Sequence, residues 1–149
     1  MGKIRNIAIS LSKKNVVIRN IIRGFNSLVR KINYKIGSIG IKVDEKTILF
    51  CCFNGKSYSC SPKAIYEYMI NDDKFKDYKF IWAFVDDKKY KYLEENINTT
   101  VVKIREKEYK KYLAKAKYWI FNYKIPDFLY PKKNQIFVQC WHGTPLKRL

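Results

Sequence analysis

Thr47-Ile48-Leu49-Phe50-Cys51-Cys52-Phe53-Asn54-Gly55-Lys56-Ser57-Tyr58-Ser59-Cys60-Ser61-Pro62 passes from apolar to polar to helix-starting sequence within one short stretch. Residues 47–53 form a brief apolar run rich in strand-forming types and read as a buried strand. Asn54-Gly55-Lys56-Ser57 is a turn or loop by composition. Ser61-Pro62 then offers an N-cap hydroxyl and a first-turn proline, and Ala64, Ile65, Tyr68 and Met69 give the following helix an apolar face. Outward from here the alternation repeats. Residues 79–85 are predicted as a second strand, 86–95 as a short polar helix or turn, 100–104 as a third strand and 106–116 as a helix. Residues 118–122 and 135–141 are predicted as the fourth and fifth strands. Trp82 and Trp119 are then strand core. Short apolar strands separated by helical stretches predict a doubly wound α/β domain, a Rossmann-like parallel sheet covered on both faces.

Composition agrees with one packed core. The chain has 149 residues, of which 47% are hydrophobic and 16% aromatic, and this excludes a disordered tail. The longest apolar run, residues 48–53, is far short of the ~20 residues that span a bilayer. The N-terminus is basic but has no continuous apolar block and no small-residue cleavage site, which argues against a secretory signal. Cys51, Cys52, Cys60 and Cys140 contain no C-x-x-C pair, and His142 is the sole histidine. These spacings match no metal site, so reduced, mostly buried thiols in a cytoplasmic protein are expected and no metal. Asp86-Asp87 and Glu94-Glu95 suit surface turns better than paired-carboxylate chemistry. The Tyr/Lys-rich stretches 88–92 and 106–118 read as solvated helix faces with aromatic packing beneath.

The formal charge of +18 is unevenly distributed. Residues 1–43 carry ten basic side chains and no acid; the first acids are Asp44 and Glu45. From Ile18, apolar residues recur at Ile21, Ile22, Phe25, Leu28, Val29, Ile32 and Ile36, the three- and four-residue steps of one helix face. Arg19, Arg23 and Arg30 fall opposite this stripe, with Lys31 and Lys35 at its edge and Lys13 and Lys14 preceding it. Asn15 or Ser12 is the expected cap and Gly37 the expected end. Three readings fit this arm: an interfacial membrane helix with its cations near anionic headgroups, packing of the stripe on the body or a partner, and nucleic-acid binding. The expected organisation is a basic amphipathic helical arm over residues 1–45 followed by the α/β domain over 46–149.

In open α/β sheets ligands sit beyond the carboxyl ends of the strands. Two loops there are chemically unusual: residues 53–62 after the first strand and Trp141-His142-Gly143-Thr144-Pro145-Leu146-Lys147 after the fifth. Each ends in a hydroxyl-proline pair that starts a helix, whose N-terminus presents unpaired N–H groups to an anion. Lys56 and Lys147 each lie within a few residues of one of these helix starts, and Gly55 and Gly143 allow close backbone approach. His142 sits on a strand-to-helix turn and is suited to general-base work on a hydroxyl nucleophile. A capping or packing role for it remains open on these grounds alone.

The same loops carry a resemblance. The run from Ile48 through Asn54-Gly55-Lys56-Ser57-Tyr58-Ser59-Cys60-Ser61-Pro62 to Met69, the segments Phe75-Lys-Asp-Tyr-Lys-Phe-Ile-Trp-Ala-Phe84 and Ala116-Lys-Tyr-Trp-Ile120, and Gln139-Cys-Trp-His-Gly-Thr-Pro-Leu-Lys-Arg-Leu149 resemble the CDP-glycerol glycerophosphotransferases. The likeness runs in order over about residues 46–149. It implies the N-terminal, acceptor-side domain of a GT-B fold and transfer of glycerol phosphate from CDP-glycerol, the donor substrate, to a hydroxyl of a lipid-linked glycerophosphate acceptor in teichoic acid or capsule synthesis. No cofactor is implied. By position His142 matches the family's catalytic base. Gly143, Thr144 and Pro145 would shape its turn, and Asn54, Gly55 and Ser61 would line the same cleft. The resemblance further implies peripheral association with the cytoplasmic face of the cell membrane, so the membrane reading of the arm is preferred and no nucleic-acid partner is expected. Cys51-Cys52 and Asn122-Tyr-Lys-Ile-Pro-Asp127 depart from the family pattern. The chain ends before the nucleotide-binding domain, so the fragment is expected to be inactive alone. A non-catalytic membrane- and anion-binding module derived from such an enzyme is the alternative. Glycerol against ribitol donors, and priming against polymerising, are not distinguished by these residues.

Overall fold

Residues 16–126 and 129–140 are described by a computed structural model of the chain. They fall into two compact units, one holding the helix that ends at Gly37 and one running from Ser38. In the first, helix α1 spans Val16–Gly37, none of its residues is buried, and Ile21, Phe25, Leu28, Ile32 and Ile36 are exposed. The second unit contains β1 (Asp44–Cys51), α2 (Cys60–Met69), β2 (Lys79–Phe84), β3 (Thr99–Lys103), α3 (Lys107–Lys115), β4 (Ala116–Phe121) and β5 (Ile136–Gln139).

All neighbouring strands pair in parallel, in the order β3-β2-β1-β4-β5. The sheet is therefore the parallel, Rossmann-like one that the alternation of strand and helix predicts. The chain moves outward from β1 through β2 to β3, then returns past β1 to place β4 on its other side. Since parallel crossovers are right-handed, this reversal sends α2 and α3 to opposite faces. Alternation along the strands feeds both. Ile48, Phe50, Phe80, Trp82, Phe84, Val101 and Ile120 form one buried cluster with Tyr66 of α2 and with Tyr90 and Leu93 of a 3-10 segment, Lys88–Glu95. Leu49, Cys51, Ile81, Ala83, Trp119 and Phe121 point the other way and are equally buried. Stacking of Trp82 on Phe50 at 5.1 Å and on Phe84 at 5.5 Å, and of Phe84 on Tyr90 at 4.0 Å, shows how aromatic content fills a small sheet.

The differences from the sequence reading are local. Helix α2 begins at Cys60 with Ser59 as N-cap, so Ser61 lies in the first turn instead of capping it. Residues 88–95 wind as a 3-10 helix, held because Glu94 accepts from the Val101 amide at 2.9 Å and pairs with Lys91 at 2.7 Å. Glu94 is thus a tie between a turn and β3, not a bare surface charge. Asn122 and Gln135 fall just outside the strands assigned to them, each drawn off by its side chain. Gln135 donates from Nε2 to the carbonyls of Leu113 and Ala116 at 2.8 and 2.6 Å. Among the thiols, Cys51 and Cys52 are buried, Cys140 is half-buried and Cys60 is exposed.

Candidate functional site at the carboxyl rim

Where β1 is flanked by β2 on one side and β4 on the other, the crossover direction reverses and the loops leaving β1 and β4 part. That is the position at which an open α/β sheet forms a ligand crevice. Beside this reversal residues 52–59 leave β1, Asn122 onward leaves β4, and Cys140 follows β5.

The β1 loop is tightly made. Phe53, Asn54 and Gly55 have φ of 46°, 57° and 78°, and Cys60 follows at 56°. Left-handed backbone at non-glycine residues costs about 1–3 kcal/mol each and persists only where the surroundings impose it. Here they do. Phe53 donates its N–H to Asn122 Oδ1 at 2.7 Å, the Val85 amide donates to the Gly55 carbonyl at 2.8 Å, and Tyr90 Oη donates to the Lys56 carbonyl at 3.2 Å. The Cys52 thiol donates to the Ser59 carbonyl at 2.8 Å, closing the loop on the start of α2.

The loop presents some of the expected residues and withholds another. Asn54, Lys56 and Ser61 are exposed at the rim. Gly55 is buried, and a Cβ there would collide with Ile104 Cδ1 and lie 3.1 Å from the Ala83 carbonyl oxygen and the Val85 nitrogen. Its glycine requirement is met inside the protein, which distinguishes it from a glycine kept open for ligand. The N-terminus of α2 carries no side-chain cap and no acid in its first turn, while the Ser57 and Ser59 hydroxyls bond each other at 2.9 Å. His142, Gly143, Thr144 and Lys147 lie outside the described residues, as do Lys13 and Lys14 of the arm. The described chain reaches Cys140, whose amide donates to the Phe121 carbonyl at 2.7 Å, two residues before His142 in sequence.

Burial pushes the Cys51 thiol up to about 12 and the Cys52 thiol up to about 11, and raises Cys140 as well. Thiols so raised stay protonated at neutral pH and do not serve as nucleophiles. Among the described residues no group of His, Cys, Asp and Glu is arranged to hold a metal. A cavity of about 310 Å³ lined by Met69, Phe75, Phe80 and Ile97 includes the 70–76 segment between α2 and β2, and none of the rim residues named above lines it. Asn122 was not read as a site residue, because sequence shows it only at the head of a segment that departs from the family pattern; its long-range bond to Phe53 is visible in space alone.

Comparison with known proteins agrees with this fold. The family described as CDP-Glycerol:Poly(glycerophosphate) glycerophosphotransferase matches residues 33–149. The chain is 41% identical over 107 residues to the teichoic acid poly(glycerol phosphate) polymerase of Bacillus spizizenii, covering 71% of this chain and 26% of that protein. It is 33% identical over 141 residues to the polymerase of the same description from Bacillus subtilis strain 168, covering 92% of this chain and 18% of that protein. In structure it is similar to the wall teichoic acid polymerase TagF in a variant soaked with CDPG, with TM-score 0.64, 33% identity, and coverage of 86% of this chain and 33% of that one. The chain therefore spans about a quarter of the first of these curated relatives, under a fifth of the second and a third of the solved polymerase.

Proposed function

This chain belongs to the CDP-glycerol:poly(glycerophosphate) glycerophosphotransferase family, and we propose that it forms the acceptor-side half of a transferase that moves glycerol phosphate from CDP-glycerol to a hydroxyl of a lipid-linked glycerophosphate acceptor. The observation that supports this most is the 3-2-1-4-5 parallel sheet whose β1 loop and uncapped α2 open at one rim. The fifth strand ends at that same rim, three residues before His142 in sequence.

In this reading His142 takes the proton of the acceptor hydroxyl as its oxygen attacks the β-phosphorus of CDP-glycerol. A new P–O bond forms to the acceptor, the bond between the β-phosphorus and the bridging oxygen breaks, and CMP leaves with the electron pair. Little covalent chemistry falls to the protein in such a transfer; positioning and charge stabilisation do most of the work. Asn54, Lys56 and Ser61 at the rim, with Gly143, Thr144 and Lys147 after His142, supply the phosphate contacts. Gly55 supports them by packing the loop against the end of β2. No cofactor is required. A nucleotide-binding half completes the enzyme, and the chain alone is expected to release no CMP, given the fraction of its relatives that it spans.

In this reading helix α1 attaches to the cytoplasmic face of an anionic membrane, where a lipid-linked acceptor is presented. Arg19, Arg23, Arg30, Lys31 and Lys35 along one helix with exposed Ile21, Phe25, Leu28, Ile32 and Ile36 suit an interfacial position. Among the described residues no helix is long and apolar enough to cross a membrane.

The test is a chimera. Residues 33–149 replace the matching segment of the Bacillus spizizenii polymerase, and incorporation of labelled glycerol from CDP-glycerol into a lipid-linked primer is followed. Incorporation above a buffer control is expected. A folded chimera that binds vesicles and CDP-glycerol yet incorporates nothing, beside an active parent polymerase, would leave only the non-catalytic binding module.

A further inference from the structure

Asn122 is 2% exposed, and its two amide atoms have different fates. Oδ1 accepts from the Phe53 N–H at 2.7 Å, while Nδ2 is buried without a hydrogen-bond partner. A buried donor left unmade is costly, and each one in a native fold calls for an explanation. The indole nitrogens of Trp82 and Trp119 are also unpartnered, but they sit inside β2 and β4 among apolar side chains. Asn122 differs in place: it is the first residue beyond β4, opposite the end of β1, at the reversal of the sheet order.

What surrounds it favours an anion. Phe53, held by Asn122, begins the left-handed segment; Cys52, one residue earlier, bonds the Ser59 carbonyl at the uncapped start of α2. The loops 52–60 and 122–126 contain no Asp or Glu and bring Lys56 and Lys124; Lys63 of α2 is paired with Glu67 at 3.6 Å. An uncapped helix start and one orphaned N–H are thus tied to neighbouring residues, Cys52 and Phe53, of an acid-free loop.

We propose that Asn122 is a substrate-binding residue of this rim: its Oδ1 holds the β1 loop, and its Nδ2 donates to a phosphate oxygen that enters the crevice between the β1 and β4 loops. Because the same carboxamide does both, phosphate entry and the left-handed loop are coupled, and binding reorganises Phe53 and Asn54 about a fixed Asn122. This deepens the transferase reading, on which the identity of the phosphate as part of CDP-glycerol or of the glycerophosphate acceptor rests.

The experiment titrates the full chain with inorganic phosphate and, separately, with glycerol 3-phosphate, following amide resonances by NMR. The Asn122 side-chain NH2 pair and the Phe53 and Gly55 amides are expected to shift together and saturate. Asn122→Asp keeps an oxygen to accept from Phe53 but replaces the donor by a second acceptor, so it is expected to weaken phosphate binding at least tenfold under conditions where the variant is folded, and the buried carboxyl also lowers the unfolding midpoint. Asn122→Ala loses the loop clamp too and is expected to lower both. An Asn122 NH2 pair that stays still at saturation, equal affinity in Asn122→Asp and parent, or no phosphate binding by the parent overturns the proposal. Failure of the transferase reading is separately visible: phosphate binding that depends on Asn122 in a chimera that incorporates no glycerol would contradict that reading alone.

Discussion

Gly55 and Asp44 show how single positions at opposite rims of one strand do different work. At Gly55, φ is +78° and a Cβ would meet Ile104, Ala83 and Val85. Gly55→Ala is expected to cost roughly 3 kcal/mol, combining left-handed strain with overpacking, and to lower the urea midpoint accordingly. The sequence marks this glycine as unusual, but its neighbours in space, forty-nine positions away at Ile104, are what make it necessary. At Asp44, burial works to raise the carboxyl, but the Lys46 amide at 3.1 Å, Thr47 Oγ1 at 2.9 Å and Lys79 Nζ at 3.3 Å outweigh it and hold the group below its ordinary value. A carboxyl depressed in the folded state binds fewer protons than in the unfolded chain, so its stabilisation is complete above the ordinary carboxylate range and is lost as pH falls through the folded value. Asp44→Asn is therefore expected to lose about 1 kcal/mol at neutral pH and nothing in strong acid, as read by denaturation at both pH values. The thiols follow a simpler rule. Cys51 and Cys52 were legible as buried from their strand alone, whereas exposed Cys60 owes its place to a helix that starts two residues earlier than Ser61-Pro62 suggests.

Elements were legible where periodicity was strong. The five strands lie within about three residues of their sequence positions, because an apolar run flanked by loop residues has few other places to go. Ends were less legible, since they are set by side chains that reach far: Asn122 to Phe53, Gln135 to Leu113, Glu94 to Val101. The 3-10 winding of Lys88–Glu95 belongs to the same class, being imposed by packing of Tyr90 and Leu93 on the sheet. For helix α1 the membrane proposal makes a quantitative demand. Near an anionic bilayer each cation contributes about 1 kcal/mol. Reversing Arg19, Arg23 and Arg30 to Glu is expected to reduce co-sedimentation with phosphatidylglycerol vesicles by at least a hundredfold, and parent binding is expected to weaken with salt. Equal sedimentation of parent and variant, or equal binding to neutral phosphatidylcholine, would assign the helix a different role.

For the molecule as a whole, sequence gives the kind of sheet but not its order. Alternating strands and helices predict parallel pairing; only the coordinates place β4 beside β1 and so put the loops of β1 and β4 at the reversal in strand order. That order also explains why the candidate site was half legible. Residues of the β1 loop form one run and carry their own motif, whereas Asn122 joins them across sixty-nine positions of sequence through the fold. The central claim is that the His142 imidazole takes the proton from the acceptor hydroxyl. It is tested most directly by single-turnover CMP release in the chimera carrying His142→Ala, with CDP-glycerol binding measured in parallel. The account predicts a rate lowered by about 10²–10⁴ with binding retained; CMP release at the parental rate would contradict it.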